Sequence, residues 1–106
     1  MEMAEFAEQL TYETLPLDLL VLLRRSFLDS MGVAAIGSTT DLSNFAYKGA
    51  LAVFGKGSAG GSRMLFGGRM VSPAGAAMAG AFTIDSTDAH DGNTPNKGHA
   101  GLAIFP

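Results

Sequence analysis

Apolar residues at Met3, Phe6, Ala7 and Leu10 recur at helical spacing while Glu2, Glu5 and Glu8 fall elsewhere, which predicts a short amphipathic first helix. Its acids come early, where the helix dipole favours negative charge. Tyr12 to Pro16 interrupts the pattern, with Thr14 placed to cap the next helix and Pro16 suited to a first turn. A long second helix follows, from about Pro16 to Ile36, in which Leu20, Leu23, Phe27, Met31 and Ala34 keep the rhythm. Leu17, Leu19, Val21 and Leu22 widen its apolar surface beyond one stripe, so burial on two sides is expected. Gly37, Ser38 and Thr39 end it.

Thr40 or Asp41 caps a third helix whose Leu42, Phe45, Ala46 and Val53 share a face, closing at Gly55. Six glycines between Gly55 and Gly68 then exclude a long helix. A loop and a small hairpin near 62–71, turning at Gly67-Gly68, fit better. Ser72-Pro73 reads as an N-cap with proline at the first helical position, opening a fourth helix to about Thr83. Ala74, Ala77, Met78, Ala81 and Phe82 fall on one side of it. The pairs Gly75/Ala79 and Ala76/Gly80 predict close packing against another helix. The fold class expected is all-α, a multi-helical part of a larger helical domain, with that one hairpin.

Composition narrows the function. The 106 residues carry a net charge of -3, which gives no footprint for nucleic acid or an anionic membrane. There is no cysteine, so neither a disulfide framework nor a thiolate site is available. MEMAEFAEQL is acidic and lacks an apolar signal core, and Leu15 to Leu23 is too short to cross a bilayer. No membrane partner is expected, and the compartment expected is the cytoplasm. The hydrophobic content of 47% is high, and LAIFP at 102–106 opens an apolar element without closing it. Both features suggest the N-terminal piece of a longer chain.

Against this apolar background, Ile84 to Gly101 (IDSTDAHDGNTPNKGHAG) concentrates Asp85, Asp88, Asp91, His90, Lys97 and His99. Gly55 to Gly60 formally spells G-x-G-x-x-G, but a dinucleotide site needs a strand before it and a helix opening on it. A hairpin follows instead, so that reading is set aside. The Asp/His spacing matches no defensible metal motif, and no metal or other cofactor is expected. Asp85, Asp88 and Asp91 could serve only as caps and Asx-turns. The same carboxylates and imidazoles can also move protons near neutral pH. Lys97 offers a cation for an anionic group, and a helix starting just after His99 would add free N–H groups. Together these suit proton abstraction next to a substrate carboxylate.

The order of motifs resembles the N-terminal part of the MmgE/PrpD family: YETLP before a long helix, LDSMGVAAIGS at its end, the glycine-rich hairpin, SPAGAAMAGAF, and the Asp/His segment. Members of that family include 2-methylcitrate dehydratase, cis-aconitate decarboxylase and iminodisuccinate epimerase. The resemblance implies a longer, multi-helical, homodimeric enzyme acting on a small di- or tricarboxylate without an obligatory metal. The family's segment L-D-F-D-D-T-H, with a downstream H-P-S, maps Asp85 to its first aspartate, Asp88 to its third acidic position, and His90 and His99 to its two histidines. Thr87, Ala89 and Ala100 depart from that pattern. The implied roles are acid/base work by His99 with Asp85, and substrate binding by Lys97, His90 and Asp88. The piece by itself is expected to be inactive. The alternative from another class is a non-catalytic helical interaction module, or a degenerate family fragment.

Overall fold

The computed structural model describes residues 2–55, 60–89, 92, 94–95 and 98–106. Its elements are α1 (Met3–Gln9), a 3-10 turn (Tyr12–Thr14), α2 (Leu17–Gly37), α3 (Asp41–Val53), β1 (Ser62–Arg63), β2 (Met70–Val71), α4 (Pro73–Asp85) and α5 (Ala100–Ile104). The all-α expectation with one hairpin is met. α4 is the hub, packing against α2, α3, α5 and both strands.

Local chemistry explains most of the boundaries. Ser72 accepts a hydrogen bond from the Gly75 amide at 3.3 Å, with Pro73 at the first helical position of α4, as the sequence predicts. Of the two candidate caps for α3, Thr40 is the one used, accepting from the Ser43 amide at 3.2 Å. Thr14 does not cap α2. It closes the 3-10 turn, accepting from the Thr11 amide at 3.1 Å and donating to the Thr11 carbonyl at 2.9 Å, and Pro16 takes the cap position. The Tyr12 ring lies beside Arg24, which donates to its hydroxyl. That contact ties the turn to α2.

The hairpin pairs Ser62 with Val71 and Arg63 with Met70, antiparallel. Its strands are shorter than a hairpin over 62–71 turning at Gly67-Gly68 would have, because the chain leaves the ladder after Arg63 and turns through Phe66 and Gly68, both at positive φ. Phe66 is an uncommon residue for that conformation. Tyr47 spans the turn, donating from its hydroxyl to the Gly67 carbonyl at 2.9 Å.

Two small cores result. One joins Ala50, Met64, Val71 and Ala79, and the other joins Val33, Ala34 and Ile84, with Leu65 and Leu102 packed on it. The face of α4 that is buried differs from the one expected. Gly75, Ala79, Gly80, Thr83 and Ile84 are inside, while Ala74, Ala77 and Phe82 are exposed. The small residues decide this, because they let neighbours approach the α4 backbone. A Cβ on Gly75 would sit 2.8 Å from Cβ of Phe54, and one on Gly80 would sit 2.7 Å from Cβ of Pro106. α3 turns likewise, burying Ser43 and Ala50 and leaving Phe45 and Val53 in solvent.

Burial of α2 on two sides is not observed among the described residues. Its buried positions are Ser30, Val33, Ala34 and Gly37, all in the second half, whereas Leu17 (75% exposed), Leu22 and Leu28 (73%) face outward. Length gives the reason. At 1.5 Å per residue α2 runs for about 31 Å and α4 for about 20 Å, so α4 can cover only part of it.

Candidate active site

The polar segment begins where α4 ends, and that end is held by the hydroxyls of Ser43, Thr83 and Ser86, which link it to α3 and α2. Thr83 donates to the Ala79 carbonyl at 2.8 Å, which commits its one proton. The buried 2.6 Å contact between Ser43 and Thr83 must therefore have Ser43 as donor. Ser86 donates to the Thr83 carbonyl at 2.8 Å and lies 3.2 Å from the Gly37 carbonyl. Gly37 makes this approach possible: a Cβ there would stand 2.7 Å from the Ser86 hydroxyl, and closer still to the Thr83 carbonyl. The last turn of α4 is thus pinned to both α2 and α3. Asp85, the last residue of α4, inherits that fixed position.

Beyond Asp85 the chain makes a turn closed by the Asp88 amide donating to the Asp85 carbonyl at 2.9 Å. Asp88 has φ of 50°, a left-handed conformation that aspartate tolerates better than most residues. His99 takes the N-cap position of α5, as the sequence predicts for a helix starting just after it. α5 has five residues, too few for the strong terminal dipole that an anion site would use. What α5 does supply is anchorage. Leu102 packs on the Val33, Ala34 and Ile84 core, Phe105 meets Phe27 edge-to-face at 5.4 Å, and Pro106 lies against Gly80.

The two anchored ends bring Asp85, Asp88 and His99 together. Their ligand atoms all lie within 4.8 Å of one another, and all three residues are exposed. An imidazole that close to two carboxylates can exchange a proton with a group bound between them. Three such groups are also near enough to share one cation. Of the other residues proposed for substrate binding, His90 and Lys97 lie outside the described residues, as does Asp91. The glycine-rich loop is set as the sequence argument requires: α3 precedes it and β1 follows it, the reverse of a strand–loop–helix phosphate site. Residues 56–59 lie outside the described residues.

Beside the cluster is a feature that sequence reasoning missed. A hollow of about 140 Å³ is lined by Ala81, Phe82, Asp85 and Leu102. The signal was available for two of its walls, since Ala81 and Phe82 stand four and three positions before Asp85 and so share its helix face. A larger polar hollow of about 310 Å³ lies at the joint of α2 and α3 under the hairpin turn, and none of the described residues of the Asp/His segment lines it.

The whole chain, residues 1–106, matches the family model described as the MmgE/PrpD N-terminal domain. The chain belongs to the MmgE/PrpD family. No curated protein and no solved structure matches it. The family match therefore stands on the sequence pattern, and the geometry is this chain's own. Asp85 and His99, for which the resemblance implies acid/base roles, stand close together in this MmgE/PrpD N-terminal domain. Asp88 joins them. No helix among the described residues is long and apolar enough to cross a membrane.

Proposed function

We propose that this chain supplies one wall of the active site of a lyase or isomerase that abstracts a proton from the carbon next to a carboxylate of a small di- or tricarboxylate. His99 acts as the acid/base group. Asp85 orients the imidazole or takes the proton itself, and Asp88 contacts substrate. Lys97 and His90 bind substrate carboxylate, countering the charge that develops on it as the proton leaves. The outcome is dehydration, decarboxylation or epimerisation, according to what leaves or returns at the neighbouring carbon. The enzyme works as a cytoplasmic homodimer without a cofactor.

The observation that carries this reading is the proximity of Asp85, Asp88 and His99, which come from the end of α4, the turn after it and the cap of α5. Caps and turns alone would not need the imidazole at that point. Support also comes from the hydroxyl clamp, because positioning of reacting groups contributes strongly to rate. The test is to follow the three reactions with the full-length protein and small di- and tricarboxylates, with and without His99→Ala. The variant should lose about 10²- to 10⁴-fold in turnover. Unchanged turnover would remove His99 from the mechanism, and no turnover of any carboxylate by the unaltered protein would favour the non-catalytic helical module.

A further inference from the structure

The hollow beside Asp85 has walls of two kinds. Among the described residues that line it, Ala81, Phe82 and Leu102 are apolar and Asp85 is charged. The same two helices that carry the reactive residues build it: α4 brings Ala81 and Phe82 on the face of Asp85, and α5 brings Leu102 one turn after His99. Leu102 is held by the Val33, Ala34 and Ile84 core, so one wall is fixed. Phe82 is 43% exposed and stands at the rim.

We propose that this hollow receives a short alkyl branch, longer than methyl, carried by the carboxylate substrate next to the carbon that loses its proton. The proposal rests on the acid/base reading of Asp85 and His99. A second carboxylate is a poor occupant of the part lined by Ala81, Phe82 and Leu102, because those apolar side chains offer it no donor. Ordered water is poor for a related reason, since a buried water needs two or more polar partners. Size sets the length of the branch. An apolar cavity of roughly 150 Å³ accepts a molecule as large as benzene. A methyl group would leave most of the 140 Å³ empty, and an open-sided hollow of that size suits two to four carbons. Ala81, Phe82 and Leu102 are then specificity-determining residues rather than catalytic ones.

The experiment is a calorimetric titration of the full-length protein with succinate and its 2-methyl, 2-ethyl, 2-propyl and 2-butyl derivatives. Affinity should rise about threefold to fourfold per added methylene as far as propyl, the gain expected for burying each CH₂. Ala81→Leu, which fills the hollow, should flatten the series relative to succinate in the same variant. Phe82→Ala, at an exposed position that the fold tolerates, should cut the gain per methylene by roughly half, in proportion to the apolar wall removed. Succinate binding with a flat or falling series in the unaltered protein would overturn the proposal alone, and would indicate that another part of the protein covers the hollow. An equal rise in unaltered protein and in both variants would also overturn it. Failure of every diacid to bind would overturn the acid/base reading and the hollow with it.

Discussion

Adding one methyl group at Gly37 tests the joint on which the site depends. Gly37 is the last residue of α2, and a Cβ there would stand 2.7 Å from the Ser86 hydroxyl and inside the contact distance of the Thr83 carbonyl. Neither neighbour is the free end of a long side chain, so α2 and α4 must separate. Forced overpacking of this kind costs about 1–3 kcal/mol. Losing the longer, 3.2 Å arm of the Ser86 hydroxyl's shared contact with the Gly37 carbonyl adds at most about 1 kcal/mol, against which alanine gains at most about 0.5–1 kcal/mol over glycine in a helix. The expected net loss for Gly37→Ala is about 2 kcal/mol. Gly32 provides the control, because it lies in the same helix and a Cβ there meets nothing within 4 Å. Gly32→Ala should be neutral or stabilising by up to about 1 kcal/mol. Urea denaturation of both variants in the full-length protein, compared by midpoint at constant slope, measures the difference. If the two alanine variants fall within about 0.5 kcal/mol of each other, the close approach of α2 to α4 is wrong. The turnover of Gly37→Ala should fall as well, since Asp85 is two residues beyond Thr83 and misplacement by about 1 Å can cost about 10²-fold.

Ser30 is fully buried, and its hydroxyl has no hydrogen-bond partner among the described residues; Ser30→Ala should therefore be neutral or stabilising by about 1 kcal/mol in the same denaturation assay. Thr83→Val keeps the shape but strips the acceptor from the Ser43 hydroxyl, and should destabilise by about 1–3 kcal/mol. Adding Ser43→Ala to that variant should recover part of the loss, and simple additivity of the two effects would show that the hydroxyls do not interact. Exhaustive chelation of the full-length protein should leave turnover of its carboxylate substrate intact, whereas loss of activity restored by one divalent cation would convert the Asp85, Asp88 and His99 cluster from a proton relay into a metal site.

Elements whose ends are written in local chemistry could be read from the residues alone. Ser72-Pro73 opens α4 and Thr40 caps α3 because a hydroxyl three residues before a free amide needs no distant partner. The faces of α3 and α4 could not be read the same way. Counting large apolar residues puts Phe45, Val53 and Phe82 inside, yet the structure buries Ser43, Ala50, Gly75 and Gly80. Periodicity weighs side chains by hydropathy, while close helix contact selects for the absence of a side chain, and the two criteria conflict in an apolar helix made of glycine and alanine. Ser43 carries the further reason that its hydroxyl has a buried partner in Thr83, forty positions along the chain, which no local pattern reveals.

The candidate site divides along the same line. Asp85 and His99 stand out in the sequence because acids and imidazoles are scarce in this chain, but scarcity does not say that they meet. They meet because each closes or opens a helix whose other contacts are fixed: α4 by the Thr83 and Ser86 hydroxyls, α5 by Leu102 and Phe105. Helix ends suit this purpose, since the backbone there can turn a polar side chain away from the core while the rest of the helix stays buried. Thr87 and Ala89, where the chain departs from the family's acidic and threonine positions, lie between the two helices, both exposed. On the proposed acid/base reading, differences from the family at these positions bear on substrate choice before they bear on the proton transfer.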